Sequence, residues 1–120
     1  MKNNLIQEKS KKFALRIINL YKYLCDEKKE FVLSKQLLRS GTSIGANLCE
    51  AEHAQSNSDF INKNSIALKE ANESIYWLEL ISESNYLTKE QSESVITDCD
   101  ELVRLLVSTI KTLKNKLKTE

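Results

Sequence analysis

A chain of 120 residues with no proline and two glycines, where average usage would give roughly six and eight, is neither collagen-like nor a chain of tight β-hairpins. Its 41% hydrophobic and 29% charged residues fit a single globular domain over 1–120 with a real core rather than a disordered segment. A net charge of +1 gives no bulk attraction to nucleic acid or to a membrane.

Four amphipathic stretches follow in chain order, and the fold they predict is all-α. The first covers about 4–26: Phe13, Ile17, Leu20 and Leu24 form one stripe, with Ala14, Ile18, Tyr21 and Cys25 beside it. The charged run Asp26–Glu30 ends it. The second covers about 34–54, with Ser34 as its expected N-cap and a small or apolar face of Leu37, Leu38, Gly41, Ile44, Gly45, Leu48 and Cys49. The third covers about 57–83, opened by a capping box of Ser56 and Asp59 and lined by Phe60, Ile61, Leu68, Ala71, Ile75 and Leu78.

The fourth covers about 89–118 and opens with a second capping box, Thr88 and Gln91. Ile96, Cys99, Val103, Leu106, Ile110, Leu113 and Leu117 recur in a heptad seam. Val95, Leu102 and Val107 widen that stripe, either as a broad core face or as a contact between subunits. Short connections favour antiparallel neighbours, hence an up-down-up-down four-helix bundle.

Both glycines fall in Gly41-Thr42-Ser43-Ile44-Gly45. Glycine costs about 1 kcal/mol against alanine inside a helix, so two on one helical face mark either a close approach by another backbone or side chain, or a helix break. Polar residues near the buried faces, Asn47, Ser65, Asn72 and Ser74, are expected to fix register. Antiparallel pairing of the second and third helices brings Arg39 towards Glu70 or Glu73.

Charge is distributed unevenly. Residues 1–22 carry Lys2, Lys9, Lys11, Lys12, Arg16 and Lys22 against Glu8 alone, and residues 104–118 carry Arg104, Lys111, Lys114, Lys116 and Lys118 with no acid. An up-down bundle places the start of the first helix and the end of the fourth at the same end. Lys9, Lys11, Lys12, Arg16, Lys111, Lys114, Lys116 and Lys118 are therefore the candidate phosphate contacts. The alternative is that these are solvated helix faces, with the C-terminal lysines complementing the helix dipole.

Chemistry-bearing patterns are sparse. Glu50-x-x-His53 matches one element of a di-iron bundle, but His53 is the only histidine, and such a site needs two of these motifs. A helical-ribonuclease arginine–histidine pairing would need an arginine at positions 46–48, held instead by Ala46, Asn47 and Leu48. Cys25, Cys49 and Cys99 are widely spaced, without a Cys-x-x-Cys pair, and read as small apolar residues in a reducing cytoplasm. There is no signal-peptide pattern at the start, since Leu5 and Ile6 run directly into Gln7, Glu8 and Lys9. No membrane span, metal, cofactor or enzymatic activity is expected.

The segment Gln36-Leu-Leu-Arg-Ser-Gly-Thr-Ser-Ile-Gly-Ala-Asn-Leu-Cys-Glu50, with Ser58-Asp59-Phe60, Ile66–Ala71 and Trp77-Leu78-Glu79, resembles the four-helix bundle proteins encoded in intervening sequences of 23S ribosomal RNA genes. The matching positions are Arg39, Gly41, Ser43, Ile44, Gly45, Asn47, Glu50, Asp59 and Phe60; Ala51 departs from the glycine many members carry. The resemblance implies a non-enzymatic bundle that assembles into homo-oligomers, with pentameric rings among related proteins. It further implies kinship with accessory proteins of diversity-generating retroelements, which bind nucleic acid and a reverse transcriptase. A self-associating module that contacts RNA or a nucleoprotein is the first expectation; a protein-binding scaffold with no nucleic-acid role is the alternative.

Overall fold

The computed structural model describes residues 4–119. Four helices, α1 (Asn4–Asp26), α2 (Leu33–Ala51), α3 (Asn57–Glu83) and α4 (Lys89–Thr119), form a rod of 52 × 22 × 21 Å. Cross-helix contacts fix the directions. Ile17 lies against Gly41 and Ser10 against Gly45, so α2 runs antiparallel to α1. Ser40 meets Ser74 while Glu50 meets Lys63, so α3 reverses again. The Cys99 thiol approaches the Ala71 carbonyl while Leu113 and Leu117 lie beside Phe60, which returns α4 antiparallel to α3. No helix among the described residues is long and apolar enough to cross a membrane.

The helix ends show how a chain so poor in glycine turns corners. Lys29 (φ 54°) and Asn85 (φ 69°) occupy the left-handed region where glycine is commonest. At Asn85 the turn is a Schellman motif: the Tyr86 amide donates to the Ile81 carbonyl (3.2 Å) and the Asn85 amide to Ser82 (3.0 Å). Gly41 and Gly45 are therefore not turn residues. Both lie within α2, which continues through them unbroken.

The start of α2 corrects the sequence reading. Ser34 is buried inside the helix, and its hydroxyl donates to the Glu30 carbonyl at 2.8 Å. The cap is the Glu30 carboxylate, which accepts from the amides of Val32 (3.1 Å), Leu33 (2.9 Å) and Ser34 (2.7 Å). A carboxylate reaching forward satisfies three orphan donors where a serine hydroxyl satisfies one. α2 also stops at Ala51 rather than 54, because the amides of Glu52, His53 and Ala54 tighten onto carbonyls three residues back.

The other two caps form at the expected residues. Ser56 Oγ accepts from the Asp59 amide (3.0 Å), although the Asp59 carboxylate returns to Gln55 (3.3 Å) rather than to Ser56. Thr88 and Gln91 complete a reciprocal box at 2.9 and 3.1 Å.

The core follows most of the predicted stripes on α1 and α2, with Phe13, Ile17 and Leu24 against Leu37, Ile44 and Leu48, although Cys49 is exposed; on α3 it shifts to Ala67, Ala71, Leu78 and Ile81, leaving Phe60, Ile61, Leu68 and Ile75 half-buried. On α4 the buried line is Val95, Cys99, Leu102, Leu106 and Ile110, so Val95 and Leu102 belong to the core. Ile96, Val103 and Leu113 are only half-buried, and Val107 and Leu117 are exposed. A straight helix drifts by about 20° per heptad against a 3.5-residue repeat, which turns the later seam positions off the core. Among the polar residues, Asn72 is exposed, whereas Asn64 and Ser74 are buried.

Candidate functional site

The start of α1, the ends of α2 and α4 and the start of α3 share one end of the rod, where Gln7 Nε2 donates to Glu52 at 2.7 Å. Not all of the candidate cations lie there. Lys9 pairs with Glu101 (3.1 Å), and Arg16 pairs with Asp98 (2.6 Å) while donating to the Ser94 carbonyl and hydroxyl. These two residues clasp α1 to α4 across the groove that also holds Lys12 and Phe13. Because Lys9 stands level with Glu101, Lys11 and Lys12 sit near mid-rod. Lys111 is ten residues further along α4, about 15 Å at 1.5 Å per residue. The basic residues therefore form two groups rather than one.

The second group is the more uniform. From Arg104 to Lys118, α4 bears five cations and no carboxylate. Arg104 pairs with Asp100 one turn back. Lys111, Lys114, Lys116 and Lys118 are all exposed. Spacings of three and four place Lys111, Lys114 and Lys118 along one side of the helix, and no carboxylate among the described residues pairs with them. Lys2 lies outside the described residues. Nearby acids are partly engaged: Glu50 pairs with Lys63 (3.0 Å), whose ammonium is thereby favoured above its ordinary pKa, with Asp59 adding to the effect.

The Gln36–Glu50 segment is built for packing. Ile44 is fully buried, and a Cβ on Gly41 would sit 3.0 Å from two Ile17 carbons. Arg39 bridges to α3, pairing with Glu73 and lying 3.4 Å from Glu70, whose Oε1 is buried without a hydrogen bond. Glu73 also accepts from Trp77 Nε1 at 3.0 Å. That indole bond and the Arg39 guanidinium hold the Glu73 carboxyl below the ordinary carboxylate range, and Arg39 is raised in turn. Ser43 and Asn47 do not cross between helices. They bond back to the Arg39 (2.6 Å) and Ser43 (2.8 Å) carbonyls of α2 itself. A buried hydroxyl pair does span α2 and α3: Ser40–Ser74, at 2.8 Å.

Sequence reasoning missed a notch at the basic end. Asn57, Phe60 and Ile61 of α3 and Leu113, Lys116 and Leu117 of α4 enclose about 130 Å³ there. The only forward signal was that apolar positions continue to Leu117, past where a single core needs them. His53 is exposed in the turn after α2, and no group of three His, Cys, Asp or Glu side chains among the described residues is placed to hold a metal. Cys99, the buried cysteine, has its thiol pushed up to about 12 by burial, with Asp100 and Asp98 adding to it.

A family model described as 23S rRNA-intervening sequence protein matches residues 2–108. A crystal structure from Bacteroides thetaiotaomicron VPI-5482, of a protein with unknown function from the S23 ribosomal protein family, is similar at 62% identity and a TM-score of 0.90. The similarity covers 92% of this chain and 99% of that one. No curated protein matches. Lys111, Lys114, Lys116 and Lys118 lie beyond the residues the family model matches.

Proposed function

The chain belongs to the 23S rRNA-intervening sequence protein family, and from that premise we propose that it is a non-enzymatic, homo-oligomeric cytoplasmic bundle that binds RNA or a nucleoprotein. The observation that carries this reading is the acid-free stretch Arg104–Lys118, with Lys111, Lys114 and Lys118 on one side of an exposed helix. Three lysines neutralising three phosphates would release condensed counterions, giving a log K against log salt slope of roughly −2 on a single strand and −3 on a duplex. Lys9 and Arg16, committed to Glu101 and Asp98, contribute less.

Titration of labelled RNA at several salt concentrations tests the reading. The triple change of Lys111, Lys114 and Lys118 to Gln should weaken binding about equally across sequences and flatten the slope by about two. A wild-type slope near zero sinks the phosphate-contact idea.

A second reading, a scaffold that binds only protein, draws on the exposed apolar residues Leu5, Leu15, Val107 and Leu117. The same residues support self-association, with a pentameric ring as the form that the family resemblance implies. Light scattering on the purified chain decides it: a strict monomer removes the assembly claim.

A further inference from the structure

α1 and α3 stand diagonally across the bundle, each packed on α2 and α4 and not on one another, so their outer faces look out from opposite sides of the rod. Both run in the same direction, since α2 is antiparallel to each. The outer face of α1 carries Glu8, Lys11, Leu15, Ile18 and Lys22, exposed but for the half-buried Ile18. That of α3 carries Lys69, Asn72, Tyr76, Glu79 and Glu83, all exposed. Leu15 and Tyr76, 53% and 55% exposed, are large side chains left in water at the middle of each face. No charged residue of either face forms an ion pair with another described residue.

The two faces share one spacing, three and four residues by turns, the repeat that keeps side chains on one side of a helix and stacks parallel helices layer on layer. Laid parallel, they match. Glu8 meets Lys69 at one end and Lys22 meets Glu83 at the other, about 21 Å away at 1.5 Å per residue. Leu15 meets Tyr76 midway, and Lys11 faces the Asn72 amide. Ile17 beside Gly41, and Arg39 beside Glu73, set Ile17 and Glu73 at about one level in the rod. The match therefore needs a slide of about five residues, roughly 7.5 Å, between neighbours. Charge selects both the partner face and its direction. The α1 face carries two lysines and one glutamate, the α3 face one lysine and two glutamates, so unlike faces attract. Antiparallel pairing of the two would set Glu8 on Glu83 and Lys22 on Lys69.

We infer that a second copy of this chain docks its α1 face on the α3 face of the first, with both rods pointing the same way. Each copy then leaves one face open for the next, and the contact closes into a ring or continues as a filament. Every step repeats the Lys111, Lys114 and Lys118 stripe, so one strand of nucleic acid meets several equivalent sites. The inference rests on the self-association reading above and assigns it a surface.

Gel filtration with light scattering on the full chain tests it. Leu15→Asp sets an acid against the acidic α3 face, and Tyr76→Arg sets a cation against the basic α1 face. Each variant should run as a monomer where the wild type runs larger. Mixed in equal amounts they should associate again, because each supplies the face the other has spoiled and Asp against Arg attracts. Circular dichroism melts accompany both, since Tyr76 also stacks on Trp77 with ring centroids 5.2 Å apart. A second arm leaves the apolar centre alone: Lys22→Glu and Glu83→Lys should each weaken association about fivefold or more, and the two together in one chain should restore it. If the wild type assembles and both Leu15→Asp and Tyr76→Arg assemble equally well, or only one of them dissociates, or the mixture stays monomeric, the α1–α3 contact is overturned while self-association stands. A monomeric wild type removes both.

Discussion

Gly41→Ala sets two calculable effects against each other. Alanine inside a helix is favoured over glycine by about 1 kcal/mol. The new Cβ, however, would stand 3.0 Å from Ile17 Cγ1 and Cγ2 and 3.3 Å from Ile17 Cβ, and Ile17 is fully buried. Optimal carbon separations are about 3.5–4.0 Å, and overpacking of this kind costs about 1–3 kcal/mol. The net expectation is a loss of up to about 2 kcal/mol. In an Ile17→Ala background the obstructing carbons are gone. That background itself loses about 2–5 kcal/mol, but Gly41→Ala within it should gain about 1 kcal/mol from propensity. The cycle should therefore show coupling of about 1–3 kcal/mol. Gly45→Ala is the internal control: its Cβ meets only the Ser10 hydroxyl closely, at 3.2 Å, so propensity should win. Urea midpoints at fixed protein concentration and unchanged m measure all four arms. If Gly41→Ala stabilises the wild type as much as it does Ile17→Ala, the close-packing account of the glycines is wrong.

Three further outcomes are expected. Burial alone would raise the Glu30 pKa, but the amides of Leu33, Ser34 and Val32 outweigh it and hold the carboxyl below its ordinary range. Its contribution is therefore present above the unfolded pKa and lost as pH falls through the folded one. Glu30→Gln should cost about 1 kcal/mol near neutrality, and denaturant midpoints of the two proteins should converge in acid; a gap that persists there contradicts the cap assignment. Cys99, with its thiol pushed up to about 12, should stay unlabelled by a thiol reagent at pH 8 until the chain unfolds, while the exposed Cys49 reacts; mass spectrometry reads both. Lys29→Gly, at φ 54°, should stabilise by about 0.5–1 kcal/mol because glycine takes that conformation without a Cβ penalty; a lower melting temperature would count against it.

The elements of the fold were legible because each helix carries its own period and two open on recognisable caps, of which Thr88–Gln91 forms the full reciprocal box. Arg39 was placed opposite Glu70 and Glu73 by antiparallel register alone, and the structure puts it there. What failed was local. Ser34 has the composition of an N-cap, yet a glutamate four residues earlier does the capping; capping scales score the residue at the boundary and not a longer side chain reaching over it. Asn47 looked like a cross-helix amide, but its nearest acceptor is the carbonyl one turn back. The α4 seam was counted on a repeat of seven, while the core selects positions by the actual rotation of the helix.

The candidate site was legible as charge but not as position. Summing lysines over residues 1–22 and 104–118 treats both groups as one patch, whereas Lys9 and Arg16 are spent holding α1 to α4. That division of labour has a physical logic. A cation held by a carboxylate in a bundle seam has given up part of its hydration and its mobility, and displacing the partner for a phosphate returns little. A lysine on the outer side of an extended helix end has neither cost. The family match ends at residue 108 and covers the packed body of the rod, including the glycine segment and the Arg39–Glu73 bridge. The lysines at 111, 114 and 118 come after it. Packing is thus the part of this molecule that the matched family region carries. Lys111, Lys114 and Lys118 are exposed, so changing them leaves the buried line that ends at Ile110 intact.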